Sequence, residues 1–183
     1  MAKVENCMSL TFEIEKLTYR DDIVEDLSDL IIEVVANGGS VSFMHPLSKT
    51  TARSFWEASL ASAERGERIV LGARENGQLI STVTLLLNCP ENQPHRAEIA
   101  KLMTRISKRG QGIARALVTE AERIAVKKGR TLLNLDTAAD EGAAGFYESL
   151  GFHKSGVIPD YALKPHGGLT DTIIYWKKIG GNY

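Results

Sequence analysis

The hydrophobic pattern at the start of the chain predicts one strand followed by two helices. From Thr11 to Leu17, apolar and polar residues alternate, as in a strand with one buried face. Apolar residues then recur every three or four positions up to Gly38-Gly39, which predicts a helix ended by the glycines. Thr18 and Asp21 are candidate caps for this helix. A second helix is predicted over Ser48 to Arg65. The predicted inner faces comprise Ile23, Leu27, Leu30, Ile31, Val34 and Val35 in the first helix and Ala52, Phe55, Trp56, Leu60 and Ala63 in the second.

The middle of the chain predicts a hairpin and a further strand. Ile69 to Ala73 and Leu79 to Leu87 have the apolar character of buried strands. Asn76-Gly77 lies between them, and both residues tolerate the positive φ of a tight hairpin turn. After a loop with two prolines, Ala97 to Arg105 predicts the next strand, which leads into a glycine-rich turn.

The last part of the chain predicts two more helices among three strands. One helix runs from Gly112 to about Lys128, and Gly129 is well placed as its C-terminal cap. The remaining elements are strands over 131–136, near 152–157 and near 172–176, and a helix over about 141–150. Composition does not change along the chain. We therefore expect one α/β domain over residues 11–183, after an N-terminal extension of residues 1–10.

Composition is typical of a soluble globular protein and excludes several classes of function. The 183 residues suffice for one well-filled core, with 43% hydrophobic and 25% charged residues. A net charge of -1 provides no general attraction to nucleic acid or to anionic membranes. No apolar run approaches the roughly 20 residues needed to cross a bilayer, and the N-terminus lacks the apolar core of a secretory signal. We expect a cytoplasmic protein.

Cysteines and histidines give no sign of a structural cross-link or a metal site. Cys7 and Cys89 lie far apart, which favours reduced thiols over the alternative of a disulfide. The four histidines are scattered and lack the spacing of metal ligands, so we expect no metal.

The turn between the predicted strand and helix near residue 110 is the strongest candidate for a binding site. Glycines there permit close approach of a ligand to the backbone, and the helix N-terminus offers free N–H groups to an anion. The segment contains neither G-x-x-x-x-G-K-[ST] nor G-x-G-x-x-G, because Arg115 stands where the third glycine would be. What remains is Arg109-x-x-Gly112-x-Ala114.

Two motifs together resemble the GNAT superfamily of N-acetyltransferases. Arg109 to Ala114 is similar to the signature [QR]-x-x-G-x-[GA], which binds the pyrophosphate of acetyl-coenzyme A. About thirty residues later, Ala143 to Phe152 is similar to the A-x-x-F-Y-x-x-L-G-F segment of the same superfamily. The resemblance implies a mixed, mostly antiparallel sheet flanked by helices, whose two central parallel strands splay apart to admit the coenzyme. It departs at Ile106, where many members have proline.

The resemblance also implies a set of residues that bind acetyl-coenzyme A. The main chain of Leu102, Met103 and Thr104 would pair with the pantetheine arm, and one N–H would polarise the thioester carbonyl. The expected coenzyme contacts in the turn and in the following motif are Arg109, Gly110, Gln111, Gly112, Ile113, Ala114, Arg115 and Phe146. The alternative for the turn is a surface connection that happens to be rich in glycine and arginine.

Three side chains are candidates for proton transfer. By resemblance, Tyr147 is the general acid that protonates the leaving thiolate, although it could simply pack beside Phe146 and Phe152. The attacking amine must be neutral, so a base is expected, directly or through water. The candidates are Glu98, on the strand that leads to the glycine turn, and Asp136, at the end of the next strand. The resemblance implies that both strand ends lie near the splayed opening; the alternative for each residue is a solvated or ion-paired carboxylate.

The acceptor site is expected between the first two helices, with their loop, and a late loop over 161–168. Phe43, Met44 and Trp56 could line it or could belong to the core. The stretch from Gly38 to Met44, with Arg96-Ala97-Glu98 before Lys101-Leu102-Met103, is also similar to the tabtoxin-resistance acetyltransferases, which detoxify a small amino-acid-like antibiotic.

We therefore predict acetyl transfer to a primary amine of a small molecule, by direct attack in a ternary complex. The alternatives are a protein acetyltransferase acting on lysines or N-termini, and a non-catalytic sensor of acetyl-coenzyme A. By resemblance, a homodimer is expected.

Overall fold

The computed structural model describes residues 12–141 and 144–180. The expected N-terminal extension, the start of the first strand at Thr11 and the thiol of Cys7 lie outside the described residues. The strands are β1 (Glu13–Leu17), β2 (Arg68–Glu75), β3 (Gln78–Leu86), β4 (Arg96–Thr104), β5 (Leu132–Ala138), β6 (His153–Leu163) and β7 (Leu169–Lys178). The helices are α1 (Asp21–Ala36), α2 (Lys49–Glu64), α3 (Ile113–Lys127) and α4 (Ala144–Glu148).

The strands form one mixed sheet in the order β1-β2-β3-β4-β5-β7-β6. The neighbouring strands are antiparallel except for β4 and β5, which are parallel. The predicted hairpin is present: Glu75 pairs with Gln78, and Asn76 and Gly77 have φ of 50° and 81°. The predicted α/β fold, with a mostly antiparallel central sheet and flanking helices, is confirmed.

The helices cover the two faces of the sheet with separate hydrophobic cores. Helices α1 and α2 pack on one face, where Val70 and Leu79 point toward them. Helix α3 packs on the other face, against Leu71 and Ile80. Burial of these side chains, each contributing about 1.5–3 kcal/mol, fixes which face of the sheet each helix occupies. The α1/α2 face is the one on which an acceptor site was expected.

The N-terminal cap of α1 differs from the prediction. Arg20 is its N-cap residue, in an extended conformation and with no capping side-chain hydrogen bond, so the prediction of a cap by Thr18 or Asp21 is wrong. Asp21 is instead the first helical residue, where its charge favours the helix dipole. Ser48 caps α2, since its hydroxyl accepts a hydrogen bond from the Thr51 N–H at 3.1 Å.

The C-terminal hairpin is longer than its pattern predicts. Strand β6 extends to Leu163 rather than ending near Val157, and its register with β7 shifts between Ile158 and Ala162. At this bulge Asp160 has φ of 50°, and its N–H donates to the Asp171 carboxylate at 3.0 Å. The bulge interrupts the alternation that would have indicated one continuous strand.

Helix α4 is shorter than predicted. It covers Ala144–Glu148 and is preceded by a 3-10 turn over Ala139–Glu141. Asp140 in this turn pairs with Lys164 at 2.8 Å, which ties the turn to the C-terminal hairpin. In the described ranges, no helix is both long and apolar enough to span a bilayer.

Candidate active site

A cleft opens where the two parallel strands separate. Strands β4 and β5 are paired only over Arg96–Glu98 and Leu132–Asn134. Both strands continue past this point without pairing to each other, and a cleft of about 820 Å³ lies between them. The splayed parallel strands are therefore confirmed.

Strand β4 carries a bulge at the cleft. Thr82 of β3 pairs with Met103, whereas Thr84 pairs with Ala100, so β4 contains one extra residue in this interval. Lys101, within the bulge, has φ of 51°. Leu102, Met103 and Thr104 all line the cleft. The Met103 and Thr104 side chains are buried, and the Met103 carbonyl accepts the Ser81 hydroxyl at 2.7 Å.

The glycine-rich turn presents the N-terminus of α3 to the same cleft. Gly110 and Gly112 have φ of 75° and 80°, and Gly112 is the N-cap residue. No side chain caps the helix, and an added Cβ on either glycine would meet nothing within 4 Å. The first N–H groups of α3 thus face open space with the positive end of the helix dipole, an arrangement that suits a phosphate.

The turn is anchored by a residue that sequence reasoning missed. The Glu33 carboxylate accepts the Ile106 N–H at 2.9 Å and pairs with Arg105 at 2.6 Å. Ile106 stands where many relatives have proline, which has no N–H to donate. The departure therefore adds a hydrogen bond that holds the start of the turn against α1.

The other predicted coenzyme contacts fall into two groups. Arg109, Gly110, Ala114 and Phe146 line the cleft together with the bulge of β4. The remaining four lie beside it: Gln111 and Gly112 are exposed in the turn, the Ile113 side chain is in the core, and the Arg115 guanidinium bonds the Ser149 hydroxyl at 2.7 Å.

Tyr147 both packs in the core and lines the cleft. Its side chain is buried, and its ring lies 5.1 Å from that of Phe146 and 5.9 Å from those of Phe152 and Tyr175, between centroids. The two interpretations of this residue are therefore compatible, because the same packing fixes the phenol beside the cleft.

The two candidate bases occupy different positions. Asp136 is exposed near the end of β5, lines the cleft and accepts the Thr172 hydroxyl at 3.3 Å. Glu98 lies where the strands part, outside the lining residues. Its carboxylate accepts the Asn134 amide at 3.2 Å and pairs with Arg96 at 3.4 Å. Asp136 therefore reaches the cleft directly, whereas Glu98 is held in a polar network at its base.

Lys101 is a further residue that sequence reasoning missed. Its side chain is half-buried in the cleft wall, and burial lowers the pKa of the ammonium while the negative charges of Asp136 and Glu98 act to raise it. Its place beside Leu102 in a strand gave no hint of this, because the bulge that reorients it leaves no clear signature in the sequence.

The predicted aromatic lining of the acceptor site is absent from the described cleft. Trp56 is wholly buried in the core between α2 and the sheet, which agrees with the core alternative and with its predicted place on the inner face of this helix. Phe43 packs edge-on against Phe55 with centroids 5.2 Å apart, and Met44 is exposed. The cleft wall is formed instead by residues 37–42 after α1 and by Tyr161, Ala162 and Leu163 at the end of β6.

Two loops are joined beside the part of the cleft wall that residues 37–42 and 161–163 form. The His45 N–H donates to the Pro165 carbonyl at 2.9 Å, and His166 Nε2 donates to the Ala36 carbonyl at 3.1 Å. The rings of His45 and His166 lie 4.6 Å apart. We call these contacts the loop bridge; they join the loop between α1 and α2 to the turn between β6 and β7.

Neither a cluster of metal-ligating side chains nor a thiol lies in the cleft among the described residues. Residues 12–141 and 144–180 contain no cluster of histidine, cysteine and acidic side chains that could hold a metal ion. Cys89 lies outside the cleft, with its thiol directed at the Arg96 carbonyl at 3.2 Å. It is not positioned to serve as a nucleophile.

Comparison with known proteins agrees with this geometry. Residues 37–152, more than half of the chain, match the acetyltransferase (GNAT) family. A ribosomal-protein-alanine N-acetyltransferase from Brucella melitensis has a similar structure, with a TM-score of 0.79 and 21% identity, covering 91% of this chain and 99% of its own. A GNAT phosphinothricin acetyltransferase from Sinorhizobium meliloti, in complex with acetyl-coenzyme A, has a TM-score of 0.76 and 19% identity, covering 93% and 90%.

A third structure, an N-acetyltransferase from Staphylococcus aureus, has a TM-score of 0.75 and 17% identity, covering 91% of this chain and 98% of its own. At these identities the structures show a common fold, while the matched family model extends over both the glycine turn and the Tyr147 motif. The chain belongs to the GNAT family of acetyltransferases.

Proposed function

We propose that this enzyme transfers the acetyl group to the primary amine of a small molecule, by direct attack in a ternary complex. The loop bridge is the observation that carries this proposal. The hydrogen bonds of His45 and His166 tie together the chain next to residues 37–42 and 161–163, which line the cleft, and we infer that this link closes the acceptor end. A small amine fits such a pocket, whereas an extended polypeptide would need a through-going groove.

The cleft residues fit acetyl-coenzyme A along its length. The uncapped N–H groups of α3 and the Arg109 side chain suit a pyrophosphate. The bulge in β4 leaves its backbone out of regular register with β3, next to the side from which β5 has separated. The main chain of Leu102, Met103 and Thr104 would there pair with the amide-containing pantetheine arm, as an added strand does.

Acetyl transfer needs two proton movements, and the cleft offers a group for each. A typical alkylammonium must lose a proton before it attacks a thioester. Asp136 is the cleft-lining carboxylate on β5, and Glu98 could receive the proton through water at the base of the cleft. When the thiolate of coenzyme A leaves, the Tyr147 hydroxyl would donate a proton to its sulfur. An N–H near Met103 would stabilise the oxyanion.

The main competitor is a protein acceptor, since one structural neighbour is a ribosomal-protein-alanine N-acetyltransferase. The loop bridge argues against this acceptor. A non-catalytic sensor is opposed by the convergence of Asp136 and Tyr147 on one cleft. A cytoplasmic location, a homodimer, and a detoxifying role like that of the tabtoxin-resistance enzymes stay predictions.

The function is tested by release of free thiol from acetyl-coenzyme A. We expect turnover with members of a panel of small primary amines and at least tenfold lower kcat/KM with peptides bearing free N-termini or lysines. Preferential acetylation of peptides would contradict the proposal. Binding of acetyl-coenzyme A with no thiol release from any amine or peptide would favour the sensor.

Replacement of His166 tests the loop bridge. His166→Ala removes the hydrogen bond to the Ala36 carbonyl, so the pocket should open. We expect the acceptor KM to rise several-fold while the KM for acetyl-coenzyme A stays constant. His153→Ala, at an exposed histidine elsewhere on the same hairpin, is the control and should change neither value. An unchanged acceptor KM in His166→Ala would mean that the bridge does not shape the pocket.

Replacement of Gly112 tests the anion site. The methyl group of Gly112→Ala would meet no steric obstacle. The left-handed backbone at position 112, however, costs a residue with a side chain about 1–2 kcal/mol of conformational energy. Relief of this strain should shift the N–H groups of α3. We expect acetyl-coenzyme A to bind about tenfold more weakly by calorimetry, because 1.4 kcal/mol corresponds to about tenfold in affinity. The control is Gly156→Ala, in β6, with an equally open site and no positive φ. Equal binding by both variants would exclude the turn from the site.

Replacement of Tyr147 tests the proposed acid. Tyr147→Phe keeps the aromatic packing but removes the hydroxyl, so kcat should fall about tenfold or more, within the usual range for a general acid. The KM for acetyl-coenzyme A should change little. Tyr175→Phe is the matched control, since this neighbouring phenol is buried and bonds the Glu148 carboxylate at 3.3 Å, outside the cleft lining. If both variants keep wild-type kcat, Tyr147 is a packing residue only.

A further inference from the structure

Strained backbone is concentrated at the acceptor end of the cleft. Four residues other than glycine have positive φ in the described ranges: Ser42, Asn76, Lys101 and Asp160. Asn76 is explained by its hairpin turn. Ser42 and Lys101 face each other across the cleft wall, and Asp160 lies in the bulge that precedes Tyr161. Left-handed backbone at residues with side chains costs about 1–2 kcal/mol each and clusters at functional sites.

The two strained residues Ser42 and Lys101 are in contact, and this contact holds the Lys101 ammonium group at the pocket. Lys101 Nζ donates to the Ser42 hydroxyl at 2.9 Å and lies 5.8 Å from the centre of the Phe55 ring. Within residues 12–141 and 144–180, it forms no ion pair with a carboxylate. A half-buried ammonium group loses part of its hydration. One hydroxyl and one aromatic face replace the lost water contacts only in part.

The opposite wall of the pocket has the opposite charge. Asp136 at the end of β5 and Asp171 on β7 both line the cleft. Asp136 and Glu98 act on Lys101 through their charges from a distance greater than an ion pair. The pocket therefore presents a cation on the β4 wall and carboxylates on the β5–β7 wall. This pattern is complementary to a molecule with an amine at one end and an acid group at the other.

We propose that Lys101 binds a carboxylate of the acceptor, and that the acceptor is therefore a small amine that also carries an acid group. This inference rests on the proposed function, because it assigns the amine to the Asp136 side of the same pocket. Lys101 is then a specificity-determining residue. Binding of an anion would also offset the burial that lowers the pKa of its ammonium.

The test compares matched acceptors. The acids are glycine, β-alanine, γ-aminobutyrate, phenylalanine and leucine. Each acid is compared with its methyl ester and with the amine that lacks its carboxylate. The measured quantity is the ratio of kcat/KM between each acid and its partners. We expect the wild-type enzyme to favour at least one acid about tenfold or more, the usual effect of a charge-assisted hydrogen bond.

Variants of Lys101 identify the residue responsible. Lys101→Met should lower the acid-to-ester ratio about tenfold, mainly through the acceptor KM, and Lys101→Arg should restore part of it by keeping the charge. Lys154→Met, at an exposed lysine of β6 outside the cleft, should leave the ratio and the activity unchanged. Thermal unfolding and the KM for acetyl-coenzyme A verify that each variant keeps its fold and donor site.

Three outcomes would overturn the inference. Turnover of small amines with no preference for acids would leave the proposed function standing and refute the role of Lys101. An equal loss for acids and esters in Lys101→Met, with a missing limb in the pH profile of kcat, would make Lys101 a proton acceptor instead. Acetylation of peptides but of no small amine would refute the proposed function together with this inference.

Discussion

Parallel pairing between β4 and β5 stops after three residue pairs, and the whole site depends on this interruption. Backbone N–H and C=O groups need partners, so a sheet that opens in its centre is unusual unless another chain-like molecule can take their place. The bulge at Lys101 and the separation of β5 create such an opening next to the N-terminus of α3. An elongated molecule with amide groups and a diphosphate satisfies both features at once.

The chemistry of the site is divided among elements that the fold brings to one cleft. In the proposed function, helix α3 and its glycine turn provide an anion site, β4 provides main-chain donors, and α4 places Tyr147 beside them. Asp136 lies on the strand across the opening. The loop bridge and the Ser42–Lys101 contact lie toward the far end, where we propose that the acceptor enters. On this proposal the two ends of the cleft serve the two substrates, and the sheet between them is a common scaffold.

Much of the fold and half of the site could be predicted from local patterns. The helix periodicity and the Asn76-Gly77 hairpin are local properties, and the structure has both. The GNAT motifs likewise depend on short segments, so they name the expected coenzyme contacts one by one, and Arg109, Gly110, Ala114 and Phe146 among these line the cleft. The burial of Trp56 follows from its place on the inner face of a periodic helix, whereas helical periodicity alone does not say whether a pocket reaches that face.

Sequence reasoning indicated the segments around residues 37–42 and 161–163 but not how they are joined or what charge lies between them. Lys101 reaches the pocket through a strand bulge, and the loop bridge joins residues more than a hundred positions apart. Ser42 and Lys101 themselves are unremarkable in type; their left-handed backbone marks them only in three dimensions. Pockets for variable acceptors thus arise from irregularities, which leave weak periodic signals.

A crystal structure of the enzyme with acetyl-coenzyme A would test the central claim most directly. We expect the diphosphate within hydrogen-bonding distance of the N–H groups around Gly110 and Gly112, and the thioester carbonyl next to the main chain of Met103. The pantetheine arm should lie between β4 and β5. A complex in which the coenzyme lies elsewhere, with side chains closing the gap between these two strands, would contradict it.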